Sequence, residues 1–290
     1  MTISKGQARE EQFLGALLGT AIGDALGQSL AGLSEQEIAL RLAAPLGYGS
    51  AEDRGPEGAG AITHRTEIVL CLVESLTTND GRPDPDNMVA RLGFLAAGPS
   101  RDLMSHGMIE GIELALENDG QVPDSHVPAI ELAVASRGIP VGLLHAVGGF
   151  DPDVMRRESA IVTRLSHAGA DQESLTQTVA AVMAETARSG SIPASGESSG
   201  DENLSATLNA IASADSFADG LRQALAITGD RSSQGAIAGA LLGARFGASG
   251  IPQSLIDDLD ARIYLSLAAP WFYRTALMRA GTLIDLRRIP

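Results

Sequence analysis

Two stretches of the sequence carry glycine at every fourth position. GALLGTAIGDALG places it at 15, 19, 23 and 27, and GAIAGALLGARFG places it at 235, 239, 243 and 247. Glycine inside a helix costs about 1 kcal/mol relative to alanine, so each series gives up several kcal/mol of intrinsic helicity. Spacing by four lines the glycines up in one stripe, where another helix backbone can come close. Membrane helices pair through such stripes, but Asp24 and Arg245 interrupt these two and both are short. The pattern predicts two deeply buried helices at the centre of a helical bundle.

The rest of the chain agrees with that reading. DNMVARLGFLAA, MIEGIELALEN, DQESLTQTVAAVMAETARSG and NLSATLNAIASADSFADGLRQALAI space their apolar residues three and four apart, as amphipathic helices do. Strand signals are weak, with aromatics at 3% and almost no alternating β-branched runs. Turn-forming punctuation falls between the helices, at 44–60, 77–86 and 189–203. Residues 191–202 are long and polar enough to be expected as a mobile loop. No change of composition divides the 290 residues, so one all-α domain over 1–290 is expected.

The formal charge of −15, from 21 basic and 36 acidic residues, argues against non-specific nucleic-acid binding, which needs Lys and Arg to neutralise phosphates. It also argues against docking on anionic lipid. A small anionic ligand stays compatible, since one local cation suffices for a phosphate. Cys71 is the only cysteine, which excludes an internal disulfide, and its place in EIVLCLVESL favours a packed thiol over a nucleophile. With no apolar signal core and no uncharged apolar run long enough for a membrane span, a cytoplasmic location is expected. The sequence carries no signal for an oligomeric state.

Three polar segments interrupt this apolar plan. GDALG (23–27) holds a carboxylate inside a buried helix. THRTE (63–67) opens a helix with hydroxyls and two basic side chains, His64 and Arg65, where the helix dipole favours Asp or Glu. TGDRSS (228–233) opens another helix. Buried polar groups need partners, and a cation at a helix N-terminus asks for an anion.

These segments resemble motifs of the ADP-ribosylglycohydrolases, all-helical enzymes that remove ADP-ribose from side chains. GTAIGDALG is similar to that family's opening G-x-x-x-G-D-A-L-G. THRTEI aligns with its T-D-D-T-E-M, and TGDRSSQGAIAGAL with its G-G-D-A-D-T-I-G-A-I-A-G-A-L, followed here by Ile251-Pro252. SRGIPVG corresponds to its M-R-x-x-P-x-G, and Ser166-His167 to its T-H. The resemblance runs in order along most of the chain and implies an orthogonal all-α bundle.

The departures bear on function. In the family two Mg²⁺ ions are held by T-D-D and by the two Asp and the Thr of D-x-D-T. Here Thr63 remains, but His64 and Arg65 replace both acids; Asp230 remains, while Ser232 and Ser233 replace the second Asp and the Thr. Ala31 stands where the family carries a flap glutamate, and its G-N-G is missing. Mg²⁺ demands hard anionic oxygens in near-octahedral geometry, so no binuclear magnesium site and no other cofactor is expected. Arg65 beside Asp230 restores near-neutrality, either as a guanidinium replacing a metal ion or as a structural ion pair in a dead site.

Breaking an N-glycosidic bond requires stabilising a cationic ribosyl carbon, which a carboxylate does. Asp230 is therefore the expected stabiliser or base, with His64 and Arg65 beside it as acid, hydrogen-bonder or phosphate contact. Thr63, Ser232 and Ser233 are expected to orient sugar hydroxyls. Arg137 and His167, carried over from the resemblance, either contact phosphate and substrate or serve the core. Glu35 and Glu37 either replace the flap carboxylate or form an ordinary capping box, and Asp24 is expected to lock helices together. Three functions stay open: a metal-independent N-ribosyl hydrolase of a ribosylated or phosphoribosylated, nucleotide-derived small molecule in specialised metabolism; an inactive protein that binds ADP-ribose or a protein partner; and de-ADP-ribosylation of a protein.

Overall fold

A computed structural model describes residues 8–49, 60–149, 151–194 and 201–283. Its helices are α1 (Glu10–Ser29), α2 (Glu35–Ala43), α3 (His64–Thr78), α4 (Pro85–Ala96), α5 (His106–Leu116), α6 (Leu132–Ala135), α7 (Gly138–His145), α8 (Pro152–Thr163), α9 (Ala170–Ser189), α10 (Glu202–Ala212), α11 (Phe217–Leu225), α12 (Arg231–Phe246), α13 (Gln253–Asp257) and α14 (Arg262–Arg279). No strand forms among the described residues, so the protein is all-α. Most starts are written locally: Ser34, Thr63, Asp84, Ser105, Asp151, Asp201, Ser216 and Asp230 each accept a backbone N–H of the helix they open.

The two glycine stripes meet each other. A Cβ placed on Gly19 would lie 2.0 Å from the carbonyl oxygen of Gly239, and one on Gly23 would lie 1.8 Å from that of Gly235. Gly15 faces Gly243, and Gly27 faces the carbonyl of Arg231. Helices α1 and α12 therefore run antiparallel with backbones touching, and both are buried along most of their length. Burial of backbone against backbone recovers the helicity that glycine forgoes. This seam is the axis on which the other helices pack, and one continuous apolar core runs through them.

The segment 203–227 is two helices rather than one. Ser216 accepts the Asp219 N–H and restarts the chain as α11, a cap stronger than continuation through Ala-Asp-Ser. Within 191–202, residues 195–200 lie outside the described residues; Ile192 is buried and Asp201 caps α10. Cys71 lies within the helical packing, and burial pushes its thiol up to about 12, as fits a packed residue. Helix α14 is held just past its middle by Phe272 and Tyr273 against Phe13. At its C-terminal end Arg279 pairs with Glu158 at 2.7 Å, and Glu158 also holds His145 at 2.8 Å. Among the described residues no helix is long and apolar enough to cross a membrane.

Candidate active site

The seam ends where three polar segments converge. Asp24, fully buried in α1, accepts the Thr63 N–H (2.8 Å), the Thr63 hydroxyl (2.7 Å) and the Thr66 hydroxyl (2.7 Å). Burial raises the carboxyl above its ordinary range, and the threonine hydrogen bonds offset part of that rise. These bonds clamp the start of α3 onto α1, so Asp24 locks helices. Thr63, expected to orient a sugar, is buried with its hydroxyl donated to Asp24. Its role is to carry α3, and it is not among the residues that line the adjoining cleft.

That clamp aims Arg65 across to α12. Arg65 Nη2 lies 3.0 Å from both carboxylate oxygens of Asp230, its Nε donates to Ser233 Oγ at 2.7 Å, and Nη1 donates to Thr63 Oγ1 at 3.3 Å. Ser233 in turn donates its hydroxyl and its N–H to Asp230, which is the N-cap of α12. Burial pulls the Asp230 carboxyl upward, yet the Arg65 charge and the Ser233 bonds outweigh it and hold the group below its usual range. Asp230 is thus a carboxylate at neutral pH, with 41% of its side chain open to solvent against 14% for Arg65.

Asp230 opens into a cleft of about 290 Å³ between the end of α1 and the start of α12. Gln28, Ala31, Arg65, Gly229, Arg231 and Ser232 are among the residues that line it. Ser232 donates to Gln28 at 3.2 Å. Arg231 reaches over the rim to Glu35 with both oxygens at 2.9 and 2.7 Å. Glu37 instead completes a capping box with Ser34. The cleft therefore holds two arginine–carboxylate pairs. Arg231 was visible beside Asp230 in TGDRSS, but its partner Glu35, 196 residues away, was not.

His64 sits behind Arg65, buried, with Nδ1 lacking a hydrogen-bond partner. Burial first, and the Arg65 charge second, lower its imidazole to about 4, against the pull of Asp230 and Glu131. His64 is neutral at pH 7, which removes the proton-donor role the sequence allowed it. Glu131, absent from the sequence reading, accepts the Ser105 hydroxyl and lies 3.4 Å from His167 Nε2. Burial raises the Glu131 carboxyl, and the nearby His167 ring, the Ser105 hydrogen bond and the charge of Arg137 bring it below its ordinary value. His167 is buried and bonds Ser166 Oγ through Nδ1 at 2.8 Å.

Arg137 does not reach the cleft. It is wholly buried and donates Nη1 to the carbonyls of Val162 and Thr163 at 3.1 and 3.3 Å. An arginine on the last carbonyls of α8 is a helix C-cap, so of its two expected roles the structural one is realised. Burial lowers it to about 10. Of the residues expected at the site, Asp230, Arg65 and Ser232 line the cleft, Ser233 and His64 stand directly behind them, and Thr63, Arg137 and His167 belong to the core.

The sequence profile of the ADP-ribosylglycohydrolases matches residues 5–211 and 194–282. The chain belongs to the ADP-ribosylglycohydrolase family. A solved ADP-ribosylglycohydrolase-related protein complex superimposes with a TM-score of 0.66 at 22% identity, covering 93% of this chain and 99% of that one, which shows the shared fold. An uncharacterized protein of Archaeoglobus fulgidus is 30% identical over 172 residues, 55% of this chain. The match spans about half the length of that relative. Membership supports a glycohydrolase type of function for this ADP-ribosylglycohydrolase relative.

Proposed function

We propose that this protein hydrolyses the N-glycosidic bond of a ribosylated or phosphoribosylated, nucleotide-derived small molecule, without a magnesium pair. The observation that carries the reading is Arg65 Nη2 lying 3.0 Å from both oxygens of the Asp230 carboxylate. A divalent cation at Asp230 would need further anionic oxygens around it, and the neighbouring side chains are instead the Arg65 guanidinium and the Ser233 hydroxyl. Among the described residues no three His, Cys, Asp or Glu side chains are grouped as a metal requires. One carboxylate, two serines and an arginine do not fit Mg²⁺.

The reaction needs modest means. As the C1′–N bond breaks, its electron pair leaves with nitrogen and C1′ becomes cationic. Asp230, ionised and facing the cleft, stabilises that charge and orients the water whose oxygen bonds to C1′ while its proton passes to the departing base. Arg65 and Ser233 hold the carboxylate in one orientation, and Ser232 with Gln28 offers polar contacts to sugar hydroxyls. A cleft of about 290 Å³ lies at the small end of ligand sites, which favours a ribose or ribose phosphate over a whole ADP-ribose on a protein side chain.

The test is release of ribose or ribose 5-phosphate from a panel of nucleotide and N-ribosyl compounds after EDTA treatment, for wild type and Asp230→Ala. Wild-type release that EDTA leaves intact and Asp230→Ala abolishes supports the hydrolase. A second reading, binding without turnover, draws on the same geometry, because most Arg65 donors are satisfied by the protein itself. It expects equally little release from both proteins with ADP-ribose binding retained. De-ADP-ribosylation, the third reading, expects release only from a modified protein.

A further inference from the structure

Away from the cleft, the outer side of α14 leaves large apolar side chains in water. Ile263, Tyr264, Leu267 and Trp271 are 67%, 42%, 65% and 61% exposed. Tyr264, Leu267 and Trp271 are three and four apart, and Arg274 and Met278 continue the 3,4 spacing of a helix-packing seam. The 18 residues of α14 contain no Asp or Glu, in a chain whose formal charge is −15. Beside the seam lies a groove of about 320 Å³, floored by Val73 and Thr77 of α3 and walled by Leu267 and Trp271, with Arg91 of α4 at its rim. One helical turn beyond Arg91 stands Phe94, 83% exposed, the most exposed large apolar side chain described.

We propose that this face binds a second copy of the chain about a two-fold axis, with Phe94 of each copy seated in the α3/α14 groove of the other. A two-fold interface must be self-complementary, and this face offers both a projecting ring and an apolar recess on adjoining helices. With aromatic side chains taken at roughly 150–250 Å² each, the five exposed residues leave on the order of 600 Å² of apolar surface. A monomer's largest apolar patch is about 300–600 Å², and a stable interface buries about 800 Å² per partner. The patch supplies most of that, and the Arg91–Glu74 pair supplies a polar rim. Two copies of a strongly acidic chain repel, and an acid-free helix is where that repulsion is weakest.

Sedimentation equilibrium of the full chain at micromolar concentration tests this. The expected wild-type mass is twice 29.9 kDa, and Phe94→Glu and Trp271→Glu each shift the protein to monomer by raising the dissociation constant at least 100-fold. Far-UV circular dichroism stays unchanged, since both side chains are on the surface, and the wild-type melting temperature falls on dilution toward that of the variants as the dimer dissociates. A wild type that is monomeric throughout, whether the face stays bare or takes up lipid vesicles or another protein, overturns the proposal. So does a dimer that survives both substitutions.

Discussion

Asp24 and Asp230 make an instructive pair. Both receive hydrogen bonds from the first residues of α3, at opposite edges of one polar junction. Asp24 is sealed from water and held by neutral hydroxyls and an amide, so burial dominates and its carboxyl rises. Asp230 is 41% open and held by a guanidinium, so its carboxyl falls. Only the second is both charged and reachable. Carboxylates gathered around the same helix start thus divide into a fastener and a reagent according to the charge of the partner and the access of water.

The widest separation between them is expected in catalysis. Asp230→Ala lowers turnover by about 10²–10⁴-fold, the range for losing a positioned acid–base group, and costs about 1–2 kcal/mol of unfolding free energy, mainly through loss of the α12 N-cap, since the ion pair is partly water-screened. Asp24→Ala does the reverse. It strands the buried Thr63 and Thr66 hydroxyls and the Thr63 N–H, so urea unfolding shows a loss of about 3 kcal/mol. An Asp230→Ala protein that melts like Asp24→Ala breaks the distinction.

Acidification sharpens it. The His64 imidazole is lowered to about 4 from 6.5, so between those values the unfolded chain binds the extra proton. Stability then falls as pH drops through that window, by up to about 3 kcal/mol. Asp24 works in the opposite sense, because its raised carboxyl takes a proton more readily folded than unfolded. The stability that Asp230 contributes is complete above the unfolded carboxylate value of about 3.9 and fades as pH falls below it through the lowered folded value. Denaturation of wild type and His64→Gln across pH 7 to 4 isolates the histidine: the acid slope shrinks in the variant. The smallest effect is expected from Arg65→Lys, which keeps the charge and loses the planar contact to Asp230 and Ser233, at about 1 kcal/mol of stability.

Much of the architecture was written in local pattern. Helix-period spacing marks α4, α5 and α9, capping side chains open α4 and α5, and the glycine stripes announce buried helices. That the stripes face each other is a fact of pairing between residues about 220 apart, which no local pattern states. The site divided the same way. Asp230, Arg65 and Ser233 were legible because motif positions put them at two helix starts. Arg137 and His167 were also at motif positions, but what no motif states is their depth in the fold, which sets Arg137 on the last carbonyls of α8 and leaves Arg137 Nε and Nη2 and His167 Nε2 buried without a hydrogen-bond partner. Glu131 and the Glu35–Arg231 pair were invisible, since each depends on a contact across distant segments with no periodic mark.

The glycine seam also orders events in time. Helix α1 leaves the ribosome early, yet its stripe of hydrogens has no surface to rest on until α12 has been made. At about 5–20 residues per second that delay is on the order of 10–40 s. During it a glycine-rich, largely apolar segment of the chain stands without its mate. Long-range closure of this kind slows folding, so nascent chains are expected to lean on chaperones, and a circular permutant that places α12 directly ahead of α1 should refold faster.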